Sequence, residues 1–226
     1  VLGKNRLRPF LAKKKVFIIH NIENLTLESA NAFLKTLEEP TADSLFLLTT
    51  AVFEKNLDTI KSRCHIVHFQ PESGNELFTR LRDEVGLNGD EARVVSYFSG
   101  GHFGAAQNLA KNHFFDQKNK LIDQFILSRP GDPKIKELLA DKRKTKEFLD
   151  VLLSWIRDLL SAKAGIEDER LVHQDRKMDL NNLKDRYTFI QLQQLNKSVV
   201  KMYQLLADNL NIKLPLLIIG EQLWEK

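Results

Sequence analysis

An apolar run ending in His20-Asn21, a Thr49-Thr50 pair and the tripeptide Ser62-Arg63-Cys64 are the places where this chain could do chemistry. A phosphate loop needs GxxxxGK[ST], because several backbone N–H groups must converge on phosphate oxygens. Gly3-Lys4-Asn5 holds the only Gly-Lys pair, and it lacks the earlier glycine, the hydroxyl residue and a preceding strand. Neutral His20 is a poor ligand for Mg²⁺, which prefers oxygen, and Asn21 cannot act as a base. Arg63 follows a predicted strand and turn; taken alone, its tripeptide implies no more than a surface salt bridge. Cys64 beside that cation is read as a packing residue rather than a reactive thiol. The remaining histidines (His65, His68, His102, His113, His173) show no ligand spacing, so no metal site is expected. Trp155 and Trp224 suit helix packing rather than base stacking.

The elements that must position these residues come from periodicity. Val16-Phe17-Ile18-Ile19 reads as a parallel strand covered on both faces. A helix starts at the Thr26 cap with Glu28 in its first turn, presents Leu27, Ala30, Leu34 and Leu37 on one face, and stops before Pro40. Leu45-Phe46-Leu47-Leu48 supplies the next strand, making a strand–helix–strand unit. Residues 54–62 form a loop and short helical turn, and Ile66-Val67-His68-Phe69 alternates like a third, edge strand. Leu2 to Leu11 reads as a helix before the first strand. Pro71 and Gly74 mark a boundary, beyond which helix dominates. Three short helices fill 75–111, punctuated by Gly86, Gly89, Gly100 and Gly101. A helix over 114–127 ends at Pro130-Gly131. Lys146 to Lys163 is amphipathic around Trp155, 165–182 is a polar connection, and two helices close the chain at about 187–208 and 214–224. The fold class is thus an α/β region over 1–70 followed by all-α segments over 71–112 and 113–226, and the resemblance described below makes the first a partial domain.

An apolar fraction of 42% and a charged fraction of 28% exclude disordered and membrane-spanning classes. Net charge is +4 with a pI near 9.0, compatible with nucleic acid without requiring it. Lys4, Arg6, Arg8, Lys13, Lys14 and Lys15 form an acid-free cluster, either a solvated face or a patch facing phosphate or a subunit. The single cysteine excludes an internal disulfide and suits a reducing, cytoplasmic setting.

Asn31-Ala32-Phe33-Leu34-Lys35-Thr36-Leu37-Glu38-Glu39-Pro40, then Phe46-Leu47-Leu48-Thr49-Thr50, then Ser62-Arg63-Cys64 closely resemble the clamp-loader branch of the AAA+ family. Leu152 to Leu160 and Asn209 to Leu214 resemble the collar of the same branch, so the resemblance spans nearly the whole chain. It implies that 1–70 is the C-terminal part of an AAA+ α/β domain, 71–112 its lid and 113–226 an oligomerising collar. It further implies that an N-terminal portion of the domain precedes Val1.

The resemblance also assigns roles. ATP-hydrolysing members carry Asp-Glu after the strand, for Mg²⁺ and water. Here those positions are His20 and Asn21, and Glu23 points elsewhere, so the hydrolytic site is degenerate. Relatives place an arginine after the lid glycines, but Gly101-His102-Phe103-Gly104-Ala105-Ala106 has Ala105 there. Thr49 and Thr50 stand where the family has a polar sensor, or simply close a strand. Arg63, flanked by Ser62 and Cys64, stands where an arginine finger reaches a neighbour's γ-phosphate. The expected role is a non-catalytic clamp-loader subunit of a replicative DNA polymerase, with ATP and Mg²⁺ at the neighbouring subunit and none in this chain. Its expected partners are other ring subunits, the sliding clamp and primed DNA. The alternatives are an ATP-hydrolysing motor subunit and a non-replicative AAA+ scaffold.

Overall fold

The computed structural model describes residues 13–40 and 43–224. The expected helix from Leu2 to Leu11, Gly3-Lys4-Asn5 and the first half of the basic cluster lie outside the described residues. Two compact units are present, 1–69 and 70–226.

In the first unit β1 (Lys15–Ile19) pairs in parallel with β2 (Ser44–Leu48), in register from Lys15 opposite Ser44 to Ile19 opposite Leu48. Helix α1 (Leu27–Glu38) connects them and begins where the Thr26 hydroxyl accepts the Ser29 N–H at 3.2 Å. Its buried stripe is Ala30, Phe33 and Thr36, with Leu34 and Leu37 half-buried, whereas Leu27 is exposed. Phe33 meets Phe46 edge-on, and Phe46 stacks on Phe17 at 5.0 Å, which locks helix to sheet. The opposite face of the sheet, Val16, Ile18, Leu45 and Leu47, is exposed, so among the described residues only one face is covered, not both as expected. Ile66 to Phe69 is not a strand either: alternation supplies the side-chain pattern, but a strand also needs a neighbour to bond, and Phe69 stays 90% exposed. The short helix α2 (Asp58–Lys61) carries Ile60 into a small core with Ile22 and Ala30.

The second unit opens with α3 (Gly74–Arg80), continued by a π turn over Leu81–Val85, then α4 (Gly89–Phe98) and α5 (Phe103–Lys111). Capping boxes at Ser73/Glu76 and Asn88/Glu91 start the first two. Leu77, Leu81, Ala92, Val95 and Ala106 form their shared core. Gly101 has φ +86, and a Cβ there would lie 2.6 Å from the Glu72 carbonyl oxygen, so the turn before α5 requires glycine.

Helix α6 (Phe114–Leu121) leads through a π turn to α7 (Asp132–Ala140), then α8 (Lys142–Lys163), α9 (Lys177–Leu183), α10 (Phe189–Ala207) and α11 (Lys213–Trp224). α8 is the spine: Phe148, Leu149, Leu152, Trp155, Ile156 and Leu159 are all buried in it. Val94 joins the same core, and Leu109 packs against both clusters, so 70–226 is a single packed unit. The stretch 165–182 is not a loose connection. Leu171, Val172 and His173 are buried and α9 occupies its end, because these residues pack on α8.

One buried cluster in α8 resembles a nucleophilic triad in composition only. Ser154 Oγ lies 2.9 Å from His173 Nε2, but Asp158 Oδ2 accepts the backbone N–H of His173, not the ring, and all three are sealed from solvent. Burial pushes the Asp158 carboxyl up to about 6, against the pull of the His173 N–H, Arg157, the Val172 N–H and Lys118. Burial likewise holds His173 well below its usual value, with Lys118, Arg157 and Arg176 adding to the effect. Asp158 therefore binds its proton more tightly folded than unfolded. Its contribution to stability is full below pH about 4 and is lost as pH rises through about 6. His173 acts oppositely, losing stability below pH about 6.5 as the unfolded chain protonates. Asp158→Asn removes the first effect alone. Its unfolding free energy in urea should exceed that of wild type at pH 8, by up to about 3 kcal/mol, and converge with it near pH 4. An unfolding free energy below wild type at pH 8 would contradict this.

Candidate functional site

The carboxyl ends of parallel strands are where an open α/β layer presents ligand-binding groups. The ladder is extended there by Thr49 N–H to the Ile19 carbonyl and Ile22 N–H to the Thr49 carbonyl, both 3.0 Å. Asn21 takes a left-handed conformation (φ 55), turning the chain into a 3-10 turn over Ile22–Asn24. His20, Asn21 and Thr49 are thereby brought together. His20 Nδ1 lies 3.2 Å from Thr49 Oγ1, and the Asn21 N–H approaches the same oxygen at 3.4 Å.

That turn also redirects Glu23, which does not point elsewhere. Its Oε1 accepts the Ala51 N–H at 3.3 Å, just past the end of β2. Its own backbone N–H, then the Thr50 hydroxyl, hold its carboxyl below the usual carboxylate range. Thr50 Oγ1 in turn accepts from Asn56 Nδ2 at 2.9 Å and from the Val52 N–H at 3.2 Å, so Thr50 ties the loop after β2 together. Among the described residues the strand end thus holds one carboxylate, whose Oε1 accepts a backbone N–H while Oε2 is buried without a hydrogen-bond partner.

Ser62, Arg63 and Cys64 form a second group, at the C-terminal end of α2. Backbone bonds from Arg63 N–H to Ile60 and from Cys64 N–H to Lys61 close the turn. The Cys64 side chain packs on the Ile22–Ala30–Ile60 core, and burial pushes its thiol up, away from reactivity. The Arg63 side chain is about one-third exposed. Its Nη1 donates to the Thr59 carbonyl at 2.9 Å and approaches Ser62 Oγ at 3.3 Å, while Nη2 donates to Glu38 Oε1 at 2.5 Å. Sequence reasoning did not single out Glu38 as a site residue. Its signal was an acid in the last turn of a helix, where the macrodipole disfavours one.

On α5, Ala105 is exposed, one residue before buried Ala106. The nearby Arg80 is committed elsewhere, lying over the Phe103 ring at 3.6 Å and bonded to Glu72 and Glu84. Among the described residues no three His, Cys, Asp or Glu side chains converge, and no helix is long and apolar enough to cross a membrane.

Comparison with known proteins adds a separate line of evidence. Residues 3–73 match the family model described as DNA polymerase III, delta subunit, and residues 112–223 match its counterpart for the C terminal part. The chain is 30% identical over 170 residues to the DNA polymerase III subunit delta' of Bacillus subtilis, covering 72% of this chain and 51% of that protein. It is 28% identical over 206 residues to the delta' subunit of Haemophilus influenzae, covering 90% of this chain and 63% of that one. Against the delta' subunit of Escherichia coli the identity is 31% over 150 residues, covering 66% and 44%. The chain therefore spans about half the length of the curated relatives it matches.

Proposed function

The chain belongs to the DNA polymerase III delta-subunit family, of the delta-prime kind, and on that footing we propose that it serves a clamp loader as a subunit that does not itself hydrolyse ATP. In this reading residues 1–70 are part of an AAA+ domain, 71–112 a lid and 113–226 a collar that locks a ring of motor and delta-type subunits. The ring loads the sliding clamp onto primed DNA, with ATP and Mg²⁺ bound at the neighbour, and Arg63 reaches that neighbour's γ-phosphate.

The observation that carries the reading is the strand end, which lacks acidic side chains where hydrolysis would need them. His20 Nδ1 and the Asn21 backbone N–H both reach Thr49 Oγ1 there, and no carboxylate stands at the two positions after Ile19. Arg63 supports it as a partly exposed cation on a turn closed by backbone hydrogen bonds. Glu23 favours a second reading, a motor subunit, because its carboxylate reaches the same strand end; but it stands beyond the two positions after Ile19 and its Oε1 is taken by the Ala51 N–H, which leaves the reading second.

Leu214 and Ile218, one turn apart on α11, are 68% and 53% exposed and suit the collar contact. Leu214→Asp with Ile218→Asp should leave the thermal midpoint within a few degrees of wild type and abolish co-purification with the other ring subunits. Normal co-assembly of that variant would refute the collar assignment. ATP turnover by the full-length polypeptide alone would refute the non-hydrolytic one.

A further inference from the structure

We infer that Glu38 is a positioning residue for Arg63, holding the guanidinium in the orientation from which it engages phosphate; the inference rests on the arginine-finger reading above. Glu38 ends α1, where the helix macrodipole disfavours a carboxylate, so the local element gives no reason for it. Its reason lies 25 residues on, in the 2.5 Å bond to Arg63 Nη2. The other terminal nitrogen is held by the Thr59 carbonyl and Ser62 Oγ, so α1 and α2 grip the group from two sides. Arg63 Nε–H has no partner among the described residues. The planar fork is therefore fixed by its terminal nitrogens, with the Nε–H left for an incoming oxygen.

The consequence is kinetic. A free arginine samples many rotamers and must be ordered at each encounter; one gripped in advance meets the developing charge without that cost. Glu38 touches no reacting atom in this scheme. A carboxylate that instead sequestered the cation would slow hydrolysis, and its removal would speed it.

The test uses the assembled clamp loader and DNA-stimulated ATP hydrolysis. Glu38→Ala should lower kcat about tenfold while leaving the ATP KM within about twofold, since it disturbs only the orientation of a transition-state contact. Glu38→Gln, isosteric and still an acceptor, should fall between Glu38→Ala and wild type, and guards against a folding failure of the alanine variant. Glu38→Ala combined with Arg63→Ala should be no slower than Arg63→Ala alone. A normal or raised kcat in both Glu38 variants, or additive losses in the double variant, overturns the inference. Normal hydrolysis by Arg63→Ala overturns the finger reading itself, and the two failures are distinguishable.

Discussion

Clamp-loader rings carrying Arg63→Ala should assemble normally yet lose DNA-stimulated ATP hydrolysis at the site bordering this subunit by about 10³-fold or more. The magnitude follows from electrostatics. A guanidinium placed against oxygens on which charge develops stabilises the transition state far more than the ground state. The fold should tolerate the change, because the Arg63–Glu38 pair is partly exposed and such pairs contribute little to stability. Arg63→Lys should rescue poorly. An ammonium cannot bond Glu38 and the Thr59 carbonyl as a planar fork while offering a further edge to phosphate. His20→Ala should change hydrolysis little, since among the described residues its ring bonds only Thr49. A His20→Ala effect larger than that of Arg63→Ala would reverse the roles assigned to the two positions.

The largest expected change in stability lies in the helical unit. Lys118 is fully buried, and its ammonium is held by both oxygens of Asp175 at 2.9 and 2.8 Å. Burial lowers its pKa, opposed mainly by Asp175, and the ammonium also sits 4.6 Å from the centre of the Phe115 ring. Asp175→Asn leaves that cation uncompensated, which typically costs about 3–5 kcal/mol. Lys118→Met combined with Asp175→Leu should recover most of the loss, because a packed apolar pair avoids the desolvation penalty altogether. Urea unfolding of the two variants is the check. A double variant as unstable as Asp175→Asn would mean that the pair contributes something beyond mutual neutralisation.

Features determined by neighbouring residues were legible in the sequence. Thr26 caps α1 through its own hydroxyl, Pro40 follows the helix end, and Leu77, Leu81, Ala92 and Val95 recur at helical spacing and are buried. What escaped depends on distant partners. Ile66 to Phe69 has a strand's alternation, but pairing is set by what lies alongside. Leu171 to His173 read as polar connection because their burial comes from α8. Helix α7 escaped for a different reason: Pro130-Gly131 ends the preceding helix, and the following Pro133 sits in the first turn of the next, where proline loses no hydrogen bond. The candidate site divides the same way. Arg63 is legible through its motif; Glu38 shows locally only as an acid in a helix's last turn, its bond to Arg63 and the return of Glu23 to the strand end being tertiary facts.

The central claim, that this chain completes a neighbour's ATP site without working one of its own, is tested most directly by pre-steady-state ATP hydrolysis in rings that differ only at Arg63. The wild-type ring should show a burst from every motor site, and the Arg63→Ala ring should lose the burst from the one site that borders this subunit. A full burst from the Arg63→Ala ring would contradict the account.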